Sequence, residues 1–246
     1  MHHRQEWFKT WFDSHYYHTL YNNRDTSEAE KFISKLLAHL DLKKDSEVLD
    51  LGCGKGRHAN QLHLNNLKVT GLDLSIESIS AAMLEFGKPG LSFIQSDMRN
   101  SFGTASFDAV FNLFTSFGYF DDSKEDKKVL ANVTESLKPQ GIFIQDYLNP
   151  TWARETLVAE ETKVKDKISF HITKEIIDNF IIKTISFTDK GENYSFHEKV
   201  KLITIEEFKE LYASLGLEII KVFGSYDLDA FKEETSPRLI LHSKKK

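Results

Sequence analysis

The sequence contains one cysteine, Cys53, in 246 residues. That excludes an intramolecular disulfide and suits a reducing compartment. Long apolar runs are missing too. The opening Met-His-His-Arg-Gln-Glu-Trp-Phe lacks a signal-peptide core, and no stretch approaches the roughly 20 apolar residues of a membrane span. A cytoplasmic protein with no membrane partner is therefore expected. Basic residues are not in excess: 32 Lys and Arg against 37 Asp and Glu give a net charge of −5 and a pI near 6.1. Nucleic-acid binders normally carry a basic face, so no nucleic-acid partner is expected. The closing Lys244-Lys245-Lys246 reads as a solvated tail. No histidine cluster has metal-ligand spacing with a carboxylate; His15 and His18, three apart, read as surface or packing residues, and no metal site is expected.

What is present is enough apolar residue, 40%, for a substantial core in one α/β domain with an embellishment. Residues 4–24 are crowded with aromatics at helical spacing, and Ser27-Glu28-Ala29-Glu30 opens a helix that buries Phe32, Ile33, Leu36, Leu37 and Leu40. The chain then alternates. Glu47–Leu51, Lys68–Leu72, Leu91–Gln95, Phe107–Leu113 and Gly141–Tyr147 read as strands. Arg57–Asn65, Glu77–Phe86 and Lys124–Leu137 read as helices, the last ended by Lys138-Pro139-Gln140-Gly141. Such alternation implies right-handed crossovers and a parallel sheet covered on both faces. After Asn149-Pro150 the texture changes to strand-like runs at 167–176, 179–188 and 194–204. They are joined by hairpin signals at Ile177-Asp178-Asn179 and Asp189-Lys190-Gly191-Glu192. The α/β rhythm returns with a helix from Thr204 to Leu215-Gly216 and strands Leu217–Phe223 and Arg238–Ser243.

Three motifs carry chemistry. In Val48-Leu49-Asp50-Leu51-Gly52-Cys53-Gly54-Lys55-Gly56 a strand runs into a glycine-rich turn that opens a helix, bringing backbone amides and a positive dipole end to a ligand. A dinucleotide fingerprint would put its third glycine where Arg57 stands. Asp50 lies in an apolar strand, which is costly without compensation; it either meets a ligand or braces the turn. Asp73 follows Gly56 by seventeen residues and ends the second strand, placed to accept from both hydroxyls of a ribose or to cap the helix near Ile76. Asp97, in Ile94-Gln95-Ser96-Asp97-Met98, could accept from an adenine amino group or belong to an ordinary turn.

In order and spacing, Glu47–Arg57, Asp73, Asp97, Phe107–Tyr119 and Leu137–Tyr147 resemble the motifs of class I S-adenosylmethionine-dependent methyltransferases, over residues 27–150 and again 204–243. The resemblance implies a Rossmann-like, seven-stranded, mostly parallel sheet with helices on both faces and an inserted antiparallel β subdomain. Residues 1–150 and 204–246 would then form the cofactor domain with a helical N-terminal cap, and 151–203 the insertion over the substrate. It implies that Gly52, Cys53 and Gly54 line the methionine part of the cofactor, that Asp73 with Leu74 holds the ribose, and that Asp97 with Met98 holds the adenine. Asn112 and Leu113 would end the fourth strand beside the reactive methyl group. The run Phe111–Phe120 and the insertion look like the small-molecule branch, which includes N-methyltransferases of amino sugars. There the loop with Phe117 and Tyr119 faces the acceptor and, with Tyr17, contacts it. Tyr16, Tyr17, Tyr21 and Arg24 of the aromatic N-terminus would close the other side, with Tyr16, Tyr21 and Arg24 toward the cofactor; Arg24 is placed either to pair with the cofactor carboxylate or to lie on the surface.

Methyl transfer from a sulfonium is an in-line displacement in which alignment in a dry cavity supplies much of the acceleration. A base is optional for a neutral amine and more useful for a hydroxyl, with Tyr119, Asp146 and Tyr147 as candidates or as pocket wall. Enzymes acting on exocyclic amines of bases often carry Asn/Asp-Pro-Pro-Tyr/Phe after strand four; Asn112-Leu113-Phe114-Thr115 departs from that pattern. Cys53 has no paired histidine to make it a nucleophile. Two other readings stay open: a nicotinamide or flavin dinucleotide oxidoreductase, and a non-catalytic S-adenosylmethionine-binding protein. The expected partner is a small-molecule methyl acceptor, which the residues do not identify. N against O methylation, and monomer against homodimer, are left open.

Overall fold

The computed structural model describes residues 6–21 and 26–246. In chain order the elements are α1 Trp7–Trp11, α2 His15–Leu20, α3 Thr26–His39, β1 Glu47–Leu51, α4 Arg57–Leu64, β2 Lys68–Asp73, α5 Ile76–Phe86, β3 Leu91–Gln95, β4 Phe107–Asn112, α6 Ser123–Ser136 and β5 Leu137–Leu148. They continue with α7 Pro150–Thr156, β6 Glu160–Lys165, β7 Ile168–Ile177, β8 Phe180–Asp189, β9 Glu192–Lys201, α8 Ile205–Ala213, β10 Leu217–Phe223 and β11 Arg238–Lys245. Seven strands form one sheet in the order β10-β11-β5-β4-β1-β2-β3, parallel except where β11 runs antiparallel between β5 and β10. The strand order reverses between β1 and β4, which places a crevice at the carboxyl ends of those strands.

Period-two alternation divides the core. Val48, Phe111, Ile144 and Ile240 pack on one face beneath α3, α4 and α5; Leu49, Val110, Phe143 and Leu239 pack on the other beneath α6 and α8. Each fully buried side chain of this size contributes about 1.5–3 kcal/mol. The helix starts are chemically marked: Ser75 and Asp122 cap α5 and α6, and Thr204 with Glu207 forms a capping box on α8.

Residues β6 to β9 form a separate antiparallel sheet. Its three hairpins each turn through two left-handed residues, Asp166-Lys167, Asp178-Asn179 and Lys190-Gly191, the geometry that matches strand twist. β6 was not anticipated because Glu160-Glu161-Thr162-Lys163-Val164-Lys165 is too charged to read as a strand; charge is how an edge strand is protected. α7 was also missed, although Asn149 caps it and Pro150 starts it. β5 begins earlier than expected: its partners jump from Phe107–Leu137 to Ala109–Ile142, so Lys138–Gly141 bulges out. The left-handed residue there is Gln140, not Gly141.

One expectation is corrected. The N-terminal helices do not close a side opposite the insertion; they pack on it. Trp11 and Leu20 share a core with Ile168, Phe170, Ile172, Ile185 and Phe187, and Trp11 stacks 4.7 Å from Phe196. Helices and antiparallel sheet therefore make one cover. No helix among the described residues is long and apolar enough to cross a membrane.

Candidate active site

A cavity of about 580 Å³ lies between the carboxyl ends of β1, β2 and β4 and the cover formed by α1, α2 and β9. Its floor is the glycine turn. Gly52 has φ +77°, and a Cβ there would stand 2.7 Å from Ser116 Cβ, so no larger residue fits. Gly54 has φ +53°, and a Cβ there would meet nothing within 4 Å. The backbone is thus bare toward open space.

The Gly54 amide donates to Asp73 Oδ2 at 2.8 Å and the Ser75 amide to Oδ1 at 2.9 Å, which sets the carboxylate at the cavity edge beside Leu74. Burial pushes the Asp73 carboxyl up, and the amides of Ser75, Gly54 and Leu74 pull it back only in part. Asp50 stands behind the turn and off the cavity wall, 1% exposed, with Oδ2 unpartnered among the described residues. Burial, then the charge of Asp73, pushes its carboxyl up to about 7 against the pull of the Ala59 amide and Arg57. Cys53 lines the cavity, but burial raises its thiol well above the ordinary value, followed by the fields of Asp50 and Asp73; it is no thiolate nucleophile.

Asp97 and Met98 line the far end. Asp97 is gripped by Arg99, with Nη2 at 2.6 Å and Nε at 3.0 Å and 3.1 Å, and Arg99 also holds Glu6. Burial raises the Asp97 carboxyl, but the hydrogen bonds and charge of Arg99 outweigh it and leave it below its ordinary value.

Leu113 lines the cavity at the end of β4, whereas Asn112 is buried beneath it, donating to the carbonyls of Leu51 and Ser116. Asn112 thereby ties the β4 loop to the glycine turn. Tyr17, Tyr21 and Tyr119 line the cavity; Tyr119 Oη donates to the Thr115 carbonyl at 2.5 Å.

Besides Asp50 and Asn112, four predicted residues stand off the cavity wall. Tyr16 faces the antiparallel sheet, packed on Phe187 and Tyr194 with its hydroxyl on Asp189. Phe117 is 1% exposed, in the core against Tyr147 and Phe208. Tyr147 is fully buried; its hydroxyl donates to the Lys201 carbonyl at 2.5 Å, and burial raises its phenol well above the usual value. Asp146 is fully buried too. Its Oδ1 accepts from Arg238 at 2.7 Å, its Oδ2 from the Phe114 amide at 2.9 Å and from Tyr226 Oη at 3.1 Å. These contacts hold Phe114 and Thr115 at φ 56° and 62°, a left-handed pair in the loop beside the cavity. Neither Asp146 nor Tyr147 presents itself to the cavity as a base. Arg24 lies outside the described residues.

Sequence reasoning missed several lining residues: Trp7, Phe12, His18, Arg57, His58, Glu198 and Arg238. Arg57 and His58 directly follow Gly56 as the first residues of α4, so the motif itself pointed to them. His18 lies one residue after Tyr17 in an aromatic helix and carried no signal of its own. Glu198, in a strand of the second sheet, looked like any exposed acid. Among the described residues no group of three His, Cys, Asp or Glu could hold a metal ion.

With this geometry the chain was compared with known proteins. A family described as methyltransferase domain matches residues 42–209. A protein of Geobacillus sp. (strain WCH70) named as a methyltransferase is 24% identical over 98% of this chain and 99% of its own. The dTDP-3-amino-3,4,6-trideoxy-alpha-D-glucopyranose N,N-dimethyltransferase of Streptomyces venezuelae is 27% identical over 71% of this chain and 76% of its own. Among solved structures, an S-adenosylmethionine-bound amino pentose methyltransferase from Micromonospora echinaspora superposes with a TM-score of 0.69 at 19% identity, covering 92% of this chain and 93% of its own.

Proposed function

Because the chain belongs to the methyltransferase-domain family and is an S-adenosylmethionine-dependent methyltransferase, we propose that it methylates a nitrogen or oxygen of a small molecule. The observation that supports this reading is the cover over the cavity: the antiparallel sheet and α1–α2 lie over the carboxyl ends of the parallel strands. Such a cover favours a small acceptor over a macromolecule. In this reading residues 1–150 with 204–246 form the cofactor-binding unit, and 151–203 with the N-terminal helices cover the acceptor. The amino-sugar and amino-pentose relatives support a small acceptor.

The residues fit the cofactor. The bare backbone at Gly54 admits a close ligand, and the Asp73 carboxylate, fixed by two amides, retains acceptor sites for a pair of ribose hydroxyls. Asp50, buried behind the turn with Oδ2 lacking a donor among the described residues, would favour the cationic amine of the methionine portion through its charge rather than by lining the cavity. Met98 and Leu74 would offer apolar surface to the adenine, and Asp97, engaged by Arg99, would share any hydrogen bond from the amino group with that guanidinium. When bound, the cofactor supplies an activated methyl on a cationic sulfur. The chain's own part is alignment and exclusion of water: Leu113, Tyr119 and Trp7 wall the transfer zone, and Asp146 with Arg238 fixes the loop that carries Phe114 and Thr115.

The test is turnover. With S-adenosylmethionine and a panel of small amines, alcohols, RNA and protein, release of S-adenosylhomocysteine should depend on a small molecule. Turnover with only RNA or protein would overturn the reading.

A further inference from the structure

The cavity wall across from the glycine turn carries a carboxylate with no role so far. Glu198, on β9, has a side chain 17% exposed and lines the cavity. Its Oε1 accepts from Trp11 Nε1 at 2.8 Å and from Tyr21 Oη at 2.7 Å; its Oε2 lies 3.2 Å from Lys183 Nζ. Lys183 also donates to the Tyr21 hydroxyl, and its own side chain is 13% exposed. A carboxylate offers about four acceptor sites. Three are taken here, and the fourth is on Oε2. Donors from α1, the C-cap of α2 and β8 thus hold the group in one orientation, and Lys183 offsets its charge. The other carboxylates along the cavity have parts in the cofactor reading, Asp73 toward the ribose and Asp97, held by Arg99, toward the adenine.

We propose that Glu198 orients the methyl acceptor by taking a hydrogen bond from its reacting N–H or O–H group. The proposal rests on the small-molecule methyl-transfer reading above and names the residue that selects the acceptor. A proton-bearing amine or hydroxyl finds a fixed oxygen acceptor on the wall facing the cofactor turn. A carboxylate in the same place meets a lone pair with no proton between, where partial burial weakens the screening of the repulsion. During transfer the acceptor's lone pair forms the bond to the methyl carbon, the carbon–sulfur pair stays on sulfur, and the acceptor's proton passes to Glu198 and then to water. Arg238, also on the cavity wall, does not reverse this preference, because its charge is answered by the buried Asp146 at 2.7 Å.

The test uses the full chain saturated with S-adenosylhomocysteine, into which benzylamine, benzyl alcohol and phenylacetate are titrated by calorimetry; the shared ring suits the aromatic walls. Benzylamine and benzyl alcohol should bind about tenfold or more tighter than phenylacetate. Glu198→Gln turns the cavity-facing acceptor into an amide that can donate, and should erase that preference while leaving S-adenosylhomocysteine affinity unchanged. Trp11→Phe removes one donor to the carboxylate but not the carboxylate, and should keep the preference even if the fold is less stable. Phenylacetate binding as tightly as the amine, an unchanged preference in Glu198→Gln, or no binding of any of the three would overturn the assignment. Failure of S-adenosylhomocysteine to bind the parent chain would strike the underlying reading instead.

Discussion

Asp50 offers a prediction whose size follows from its surroundings. Its carboxyl is 1% exposed, faces Asp73, and is pushed up from 3.8 to about 7, with Oδ2 lacking a donor. A cationic amine bound at the glycine turn in front of Asp50 would favour the ionised form through its charge, so cofactor binding should expel the proton. Affinity for S-adenosylmethionine therefore rises with pH. A group of pKa about 7 is roughly one-tenth ionised at pH 6 and nine-tenths at pH 8, which predicts about a tenfold gain in affinity across that range. The cofactor's own amine also titrates, so the diagnostic is the difference between the parent and Asp50→Asn. The variant should lose this component of the slope and bind at pH 8 about as weakly as the parent at pH 6. Stability runs the other way. A carboxyl raised on folding keeps its proton longer in the folded state, so the cofactor-free fold loses stability as pH rises from about 4 to 7. The full loss is at most about 4 kcal/mol. Asp50→Asn should remove it and raise the unfolding temperature at pH 8. Calorimetric titrations at pH 6, 7 and 8 check the binding half; an identical slope in parent and variant would refute the argument.

Other outcomes follow from the same geometry. Asp73→Ala removes the acceptor proposed for two ribose hydroxyls together with that for the Gly54 and Ser75 amides, and should weaken cofactor binding by about 3 kcal/mol or more, read by calorimetry. Gly52→Ala forces a left-handed alanine against Ser116 and should cost about 1–3 kcal/mol in thermal unfolding. Tyr147→Phe removes only the hydrogen bond to the Lys201 carbonyl; it should cost about 1 kcal/mol of stability and leave the pH profile of turnover unchanged, which a catalytic phenol would not. Arg238→Met leaves Asp146 buried without its cation and frees the Phe114–Thr115 loop, so turnover should fall while S-adenosylmethionine still binds.

The fold was legible where local chemistry and tertiary role agree. The parallel strands are apolar runs bounded by turns, and β1, β3 and β10 occupy the expected residues. That the glycine turn and Asp73 share one cavity wall was legible because strand, turn and acid fall in sequence order along one crevice. The acceptor side was not. Asp146 and Tyr147 end a strand pointing toward the site, yet alternation sends the Tyr147 side chain into the core beneath α8, and the partners that enclose Asp146, Arg238 and Tyr226, are eighty or more residues away. Glu198 owes its place to Trp11, Tyr21 and Lys183, all distant in sequence or in another strand. The packing of α1 and α2 on the insertion likewise depends on contacts between residues more than 150 apart, which no local pattern encodes.

The most direct test follows the methyl group. Methyl-labelled S-adenosylmethionine is incubated with the chain and a cell extract, and the products are separated into small-molecule, RNA and protein fractions. The account predicts label in the small-molecule fraction, absent when Asp73→Ala replaces the parent. Label confined to RNA or protein, or undiminished in Asp73→Ala, would contradict it.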